Sequence, residues 1–199
     1  MGGPRIYLAS ASPRRAELLA QIGVAFDVHP VSVNESPLHR EAAPEYVLRL
    51  AGEKARAAWS ALDEPDRRPV LAADTTVELD GEIFGKPADQ ASARAMLRRL
   101  SGCTHAVHTA IALRHQRGST TRLSSSRVTF RAIGDEEIDW YWGTGEPVDK
   151  AGAYAIQGHG AIFVSHLAGS YSGVVGLPLL ETWELLAALP GPIAVGMQS

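Results

Sequence analysis

Two adjacent arginines stand where a short apolar strand gives way to a predicted helix. The segment Leu8–Arg15 reads LASASPRR, and its Ser-Pro pair favours a helix start immediately before Arg14 and Arg15. Backbone N–H groups and the helix dipole at such a start attract anions, and arginine side chains suit phosphate oxygens. A solvated arginine pair on a surface helix is the alternative. The serines of the turn, Ser10 among them, favour a phosphate-binding site at this junction.

Lysine is rare in this chain: only three of its 19 basic residues are lysines, and the others are arginines. Lys54 lies inside the apolar stripe of a helix that is predicted from about Pro44 to Ser60. A lysine in such a stripe either extends outward to water or meets a buried anion. The sequence leaves both interpretations of Lys54 open.

An apolar run, Val70–Ala73, delivers Asp74 to the end of a predicted strand, which is where α/β folds place ligands. A buried carboxylate there requires a cation, a metal ion or a hydrogen-bond donor. The alternative for Asp74 is a structural cap of the following turn. The Asp80-Gly81 pair predicts a tight hairpin, after which Lys86 returns along the partner strand. We therefore expect Asp74 and Lys86 to face one cleft.

Two more polar residues are candidates for a site. Glu35 lies in a predicted loop and could bind a metal ion, although a solvated surface carboxylate is the simpler interpretation. Gln157 could bind a base edge or a phosphate, or it could be a satisfied amide of the core. The histidines predict no metal site, since His105 and His108 would point to opposite faces of one strand.

Helical and extended patterns alternate along the chain, which predicts an α/β fold with a mixed sheet rather than a simple doubly wound order. Helices are predicted from Pro13 to Ile22, Pro44 to Ser60, after Asp89, from Asp135 to Trp142 and from Pro178 onward. Extended segments are predicted at Ile6–Ala9, Val24–Val28, Val31–Val33, Val70–Ala73, both arms of the hairpin, His105–Leu113, Arg127–Ile133, Ala153–Gln157 and Ala161–Leu167.

Composition limits the class of protein. The 199 residues suit one domain over 1–189, followed by a Pro- and Gly-containing tail, 190–199, that is expected to be loosely ordered. A net charge of −3 argues against a nucleic-acid-binding module, and no apolar run is long enough for a membrane anchor. The single cysteine, Cys103, excludes an internal disulfide and favours a reducing compartment, so we expect a cytoplasmic protein.

Short blocks follow one another in a fixed order from near residue 6 to near residue 187. They are Leu8–Arg15 (LASASPRR), Ala73–Val77 (ADTTV), Gly85–Pro87 (GKP), Leu100–Gly102 with His105 and Thr109, Asp149–Gly158 (DKAGAYAIQG) and Gly169–Pro178 (GSYSGVVGLP). In this order the blocks resemble the Maf family of nucleoside triphosphate pyrophosphatases, and their joint order makes the resemblance specific.

The resemblance implies a two-lobed, ITPase-like α/β fold around a deep substrate cleft, and often a homodimer. It implies an enzyme that hydrolyses a nucleoside triphosphate between the α- and β-phosphates with the help of a divalent cation, Mg²⁺ or Mn²⁺. Asp74 matches the family's proton acceptor, Lys54 and Lys86 its cleft lysines, and Glu35 its acidic loop residue. We expect Asp74 and Glu35 to hold the metal ion, and Arg15 to join the lysines in stabilising the leaving pyrophosphate.

Three positions separate the substrate branches of the family. Arg14, Thr75 and Gln157 agree with the branch that is similar to dTTP/UTP pyrophosphatases. A preference for 7-methyl-GTP is one alternative. A nucleotide-sensing inhibitor of septum formation is another, although the intact set of Lys54, Asp74 and Lys86 argues for an active enzyme. The resemblance does not discriminate between dTTP, UTP and modified pyrimidine nucleotides.

Overall fold

The computed structural model describes residues 5–64 and 67–189, and a seven-stranded mixed sheet lies at its centre. The strands in chain order are β1 (Ile6–Leu8), β2 (Phe26–Val28), β3 (Val70–Leu79), β4 (Glu82–Phe84), β5 (Thr104–His115), β6 (Gly118–Phe130) and β7 (Val164–Ala168). Their order across the sheet is β2-β1-β3-β5-β6-β7, and β4 pairs with the end of β3. Strand β1 is parallel to β2 and β3, and the other pairs are antiparallel. The predicted mixed α/β fold is confirmed.

Helices cover both faces of this sheet. They are α1 (Pro13–Gln21), α2 (Ala43–Ser60), α3 (Gln90–Leu100), α4 (Asp135–Gly143), α5 (Tyr171–Val175) and α6 (Leu179–Ala187), with short 3-10 segments at Glu146–Asp149, Ala151–Ala153 and His159–Phe163. Among the helices of the described ranges, none is both long enough and apolar enough to cross a bilayer. The predicted tail, 190–199, lies outside the described residues.

Helix α2 packs closely on strands β3 and β5 because both contact surfaces are rich in alanine. Ala51, Ala55 and Ala58 of the helix and Ala72, Ala110 and Ala112 of the strands form one buried cluster with larger apolar side chains. Small side chains on both surfaces bring the helix axis near the sheet. This short separation determines how far the side chain of Lys54 must reach to meet the sheet.

The central strand β3 lacks a strand partner along part of one edge. Strand β1 pairs with β3 as far as Leu71, and β4 begins to pair with it at Val77. Among the pairings of the described residues, 72–76 are bonded to a strand only on the β5 side. The strand predicted over the four residues Val70–Ala73 is ten residues long in the structure, because β5 pairs with it along nearly its whole length.

Several local predictions are confirmed, with small shifts of the ends. The predicted hairpin is present, and Asp80 and Gly81 both have the positive φ angles of a two-residue turn. Asp89 caps α3 by accepting a hydrogen bond from the Ser92 N–H group. At α1, Ser12 occupies the N-cap position as predicted, but its side chain makes no capping hydrogen bond.

Two predicted strands near the C-terminal third are wrong in part. No strand forms at Ala153–Gln157, because Gly152 and Ala153 have φ angles of 67° and 58°, which a strand cannot accommodate. The Gly152 N–H group instead donates to the Gly85 carbonyl. The strand predicted over Ala161–Leu167 begins only at Val164, since the preceding residues form a 3-10 turn.

Smaller differences occur in three other places. Val31–Val33 is loop rather than strand, and strand β6 ends at Phe130 rather than continuing to Ile133. Asp135 is the first residue of α4, whose N-cap is Gly134 with its N–H group bonded to Glu137. The short helix α5 has only five residues, too few to show a helical period in the sequence.

Candidate active site

A cleft of about 660 Å³ opens beside the unpaired edge of β3. Every residue that the sequence singled out for catalysis, metal binding or recognition lines it. These residues are Ser10, Arg14, Arg15, Glu35, Lys54, Asp74, Thr75, Lys86 and Gln157. They come from six separate parts of the chain, so the fold creates one site from dispersed segments.

The ammonium group of Lys54 lies between two carboxylates at the wall of this cleft. Its Nζ atom is 2.7 Å from Asp74 Oδ1 and 2.6 Å from Glu35 Oε1. Lys54 is only 9% exposed, so its side chain does not extend outward to water. Of the two interpretations that the sequence left open, ion pairing is the one observed, with the buried Asp74 and with the partly exposed Glu35.

The loop that carries Glu35 is held against α2 by a residue that the sequence did not single out. The Tyr46 hydroxyl donates to the Glu35 carbonyl at 2.8 Å, and burial raises the pKa of Tyr46 to about 12, so it remains a neutral donor. Arg49 adds a bond to the Ser36 carbonyl at 3.2 Å. Tyr46 and Lys54 are eight residues apart on one helix, a spacing that places both on the same face and could have revealed Tyr46.

The two carboxylates of this cluster have pKa values displaced in opposite directions. Burial raises the pKa of Asp74 above its ordinary value, although the charges of Lys54 and Arg15 oppose this. Burial also acts on Glu35, but there the hydrogen bond and charge of Lys54 prevail and the pKa of Glu35 is lowered. Such a pair suits two roles, a proton acceptor at Asp74 and a permanently ionised ligand at Glu35.

Lys86 lies at the open side of the cleft. Its Nζ atom is 4.0 Å from Glu35 Oε2, and its side chain is 62% exposed. The hairpin of β3 and β4 therefore places Lys86 in the cleft that contains Asp74, with Glu35 as its nearest described carboxylate. An exposed ammonium at this point is free to contact an incoming anion.

Arg15 uses most of its hydrogen-bonding capacity within the protein. Its guanidinium donates to the Gly176 carbonyl at 2.8 Å, the Ala73 carbonyl at 2.8 Å, Ser10 Oγ at 3.3 Å and Thr75 Oγ1 at 3.2 Å. A guanidinium has five N–H groups, so one remains for a substrate. Arg15 thus replaces a strand partner at the unpaired edge of β3 and holds the cleft wall together.

Arg14 is the arginine of the pair that remains available to a ligand. Its Nη1 atom is 3.9 Å from Asp149 Oδ2, beyond hydrogen-bond distance, and its side chain is 26% exposed. Asp149 forms an ion pair with Lys150, and both residues line the cleft. The Arg14 guanidinium therefore has more N–H groups free for a ligand than the Arg15 guanidinium has.

Consecutive residues of β3 face different halves of the cleft, because side chains alternate along a strand. Asp74 meets the charged half, next to α2. Thr75 meets the half beside α1 and α5, whose wall is largely apolar and is formed by Val107, Tyr154, Ile156, Val174 and Val175.

Tyr154 in this second half is held by His105, whose Nε2 atom is 2.8 Å from the Tyr154 hydroxyl. Gln157 lies exposed at the rim. The charged half is suited to phosphates, and the apolar half is suited to a flat base.

The residues present suit a divalent cation that shares its ligands with a substrate. In the part of the chain that the structure describes, no group of three or more His, Cys, Asp or Glu side chains is arranged to hold a metal ion. Asp74 and Glu35 do converge, since both contact the same Lys54 atom. Two carboxylates, completed by phosphate oxygens and water, are the usual environment of Mg²⁺ at a nucleotide.

The chain is similar to known proteins over most of its length. The family model described as Maf-like protein matches residues 5–189. A dTTP/UTP pyrophosphatase of Dechloromonas aromatica is 53% identical over 93% of this chain and 97% of its own length. One from Methylococcus capsulatus is 55% identical over 93% and 91%, and one from Escherichia coli O157:H7 is 53% identical over 92% and 91%.

A solved structure, the Ham1 protein of Staphylococcus aureus, is more distant. It aligns with a TM-score of 0.41 and 19% identity over 66% of this chain and 72% of that chain. The family model and the three pyrophosphatases extend over nearly the full length of the chain. The chain belongs to the Maf family.

Proposed function

We propose that this protein hydrolyses dTTP and UTP to the nucleoside monophosphate and pyrophosphate. The observation that carries the proposal is the cluster of Lys54, Glu35 and Asp74 on the wall of a cleft whose other half is apolar. The relatives named dTTP/UTP pyrophosphatase, which are similar over nine-tenths of the chain, support the same activity.

In the proposed reaction, water replaces pyrophosphate at the α-phosphorus of the nucleoside triphosphate. A water oxygen forms a bond to the α-phosphorus, and the bond from this phosphorus to the bridging oxygen breaks, so that pyrophosphate leaves. Asp74 accepts the proton of the attacking water. Burial raises the pKa of Asp74 in the cleft without a cation, but an ordinary aspartate, whose pKa is about 3.9, is a weak base at neutral pH, so a bound cation would also have to activate the water.

Positive charge in the cleft serves the departing group. Lys54 and Lys86 lie beside Glu35, and Arg14 also lines the cleft. Cations aimed at a leaving pyrophosphate stabilise the charge that develops as the bond breaks. A divalent ion held by Asp74 and Glu35 would add Lewis-acid stabilisation of the phosphates and would lower the pKa of a bound water.

Recognition of the base is assigned to the apolar half of the cleft. Arg14, Thr75 and Gln157 provide its polar groups, while the surrounding aliphatic and aromatic side chains exclude water. We propose that these three residues select thymine and uracil. A cytoplasmic location and a homodimeric state stay predictions from the sequence and from the resemblance to the family.

The direct test is pyrophosphate release from a panel of dTTP, UTP, dCTP, dATP and 7-methyl-GTP with Mg²⁺ or Mn²⁺. We expect dTTP and UTP to be the best substrates, and Asp74→Asn to lose activity. The matched control is Asp139→Asn, since Asp139 pairs with Arg94 and does not line the cleft. Near-normal turnover by folded Asp74→Asn would refute the catalytic assignment.

Two other results of the same panel would change the proposed function. A clear preference for 7-methyl-GTP would overturn the assignment of Arg14, Thr75 and Gln157 to pyrimidine recognition. Binding of dTTP without hydrolysis in the presence of metal would favour a nucleotide-sensing regulator over an enzyme.

A further inference from the structure

Three hydrogen bonds form a chain behind the apolar half of the cleft. Arg15 Nη2 donates to Thr75 Oγ1 at 3.2 Å, Thr75 Oγ1 is 2.9 Å from Thr109 Oγ1, and Thr109 Oγ1 is 2.7 Å from the Gly173 carbonyl. Thr109 is fully buried on β5 and does not line the cleft. The chain links the substrate cleft to the interior of the fold.

Counting protons determines the direction of each bond. A carbonyl only accepts, so the single hydroxyl proton of Thr109 points to Gly173. Thr109 must then accept from Thr75, whose own single proton is thereby used. Arg15 only donates and takes one lone pair of the Thr75 oxygen. What Thr75 can still offer to the cleft is one lone pair and no proton.

The place where this lone pair is available is suited to a base. Val107 on the same face of the sheet and Tyr154 and Val175 opposite give this half of the cleft an apolar wall. In such a place, a polar group of the ligand that finds no complementary partner is costly. An acceptor at Thr75 therefore favours a ligand edge with an N–H group and disfavours an edge with a lone pair there.

We propose that Thr109 is a positioning residue for base selection. It acts by accepting the hydroxyl proton of Thr75 in a hydrogen bond, so that Thr75 cannot donate this proton to the base. Uracil and thymine carry an imide N–H group between two carbonyls, whereas cytosine has a ring lone pair at the same position. Thr109 thus makes Thr75 an acceptor that matches the imide. This inference rests on the proposed function, and it assigns a role to a residue that cannot touch the substrate.

The test compares kcat/KM for dTTP and dCTP in Thr109→Val and in Thr109→Ser. The valine has nearly the shape of threonine but frees the Thr75 proton, so the ratio of dTTP to dCTP should fall about tenfold, mainly through KM. The serine keeps the hydroxyl and should restore the ratio. The matched control is Thr104→Val, which removes a similar Thr-Thr bond, 2.8 Å to Thr129, on the surface of the same strand.

A second variant covers the case in which Thr109→Val fails to fold because the Gly173 carbonyl loses its donor. Thr75→Val leaves the bond from Thr109 to Gly173 intact and removes the same acceptor, so it too must lower the ratio. A folded Thr109→Val with the wild-type ratio, or an unchanged ratio in Thr75→Val, would overturn the inference.

Binding of the products dTMP and dCMP, measured by calorimetry, separates this inference from the proposed function. If the wild type released no pyrophosphate, the proposed function would fail, but the preference for dTMP over dCMP would still report the polarity of Thr75. Equal binding of the two products by the wild type would overturn the inference. Loss of that preference in Thr109→Val would support it.

Discussion

Replacing Lys54 with methionine should destabilise the protein through the carboxylates that remain. Methionine preserves most of the aliphatic volume in the stripe of α2 but removes the charge between Asp74 and Glu35. The Asp74 side chain is only 10% exposed, so water from the cleft can replace the lost partner only in part. The free energy of unfolding should therefore fall through an unpaired buried charge rather than through a cavity.

The magnitude follows from the burial of the pair. Removal of one partner from a buried ion pair costs about 3–5 kcal/mol. Glu35 adds little to this, because its side chain is 44% exposed and can turn to solvent. A loss of 1 kcal/mol lowers the Tm of a chain of this length by about 2–4 °C, so we expect a decrease of roughly 6–20 °C at pH 7.

The loss in Lys54→Met should depend on pH in a defined direction. Without Lys54 the pKa of Asp74 rises further above its unfolded value, because burial and Glu35 both act in that sense. The folded state then binds more protons than the unfolded state, so stability increases as the pH falls toward the unfolded pKa of about 3.9. The difference from the wild type should be largest at pH 7 and smaller at pH 5.

Urea unfolding of four proteins tests this reasoning: wild type, Lys54→Met, Asp74→Asn and the double variant. The double variant contains no buried unpaired charge, so it should recover at least half of the loss seen in Lys54→Met. Two results would refute this reasoning. One is a decrease of less than about 1 kcal/mol in the free energy of unfolding of Lys54→Met. The other is an equal decrease when Lys54→Met is introduced into Asp74→Asn, because the effect would then not depend on the Asp74 charge.

Three further predictions concern stability and metal dependence. Arg15→Lys should lower the free energy of unfolding, measured with urea, by about 1–3 kcal/mol for each buried acceptor left unpaired. The reason is that one ammonium group cannot reach the carbonyls of both Ala73 and Gly176. Burial lowers the pKa of His105 to about 4, so the stability that its neutral form contributes is lost as the pH falls from 6.5 toward 4. His105→Gln should remove up to about 3 kcal/mol of this decrease in the free energy of unfolding. An unchanged pH dependence between 6.5 and 4 would contradict the prediction. Removal of metal with EDTA should abolish hydrolysis but leave the Tm nearly unchanged, because both carboxylates already pair with Lys54 without an ion. A large drop in Tm would contradict this.

Local sequence signals predicted most of the fold correctly wherever the signal and the structure involve the same few residues. The Asp80-Gly81 turn and the Asp89 cap of α3 are of this kind. The segment Ala153–Gln157 fails as a strand because its conformation depends on Gly85 and Val77, which lie far away in the chain. A residue pattern describes its own neighbourhood and carries no information about such contacts.

The candidate site shows the same division. The residue pattern placed Asp74 and Lys86 in one cleft, and the resemblance to the Maf family added Lys54, Glu35 and Thr75. The sequence could not show that Lys54 pairs with two anions, because its partners approach from a loop and a strand 19 and 20 residues away. It also missed Tyr46, whose role depends on where the Glu35 loop crosses α2.

The sequence by itself determined the alternating elements, the family and the chemical groups available for phosphate and base. Only the tertiary structure decided what those groups can do, because pKa values and hydrogen-bond directions depend on burial and on neighbours distant in the chain. Burial separates the pKa values of Asp74 and Glu35, Arg15 donates mostly to the protein, and Thr109 leaves Thr75 as an acceptor. These properties arise only where separate segments exclude water together.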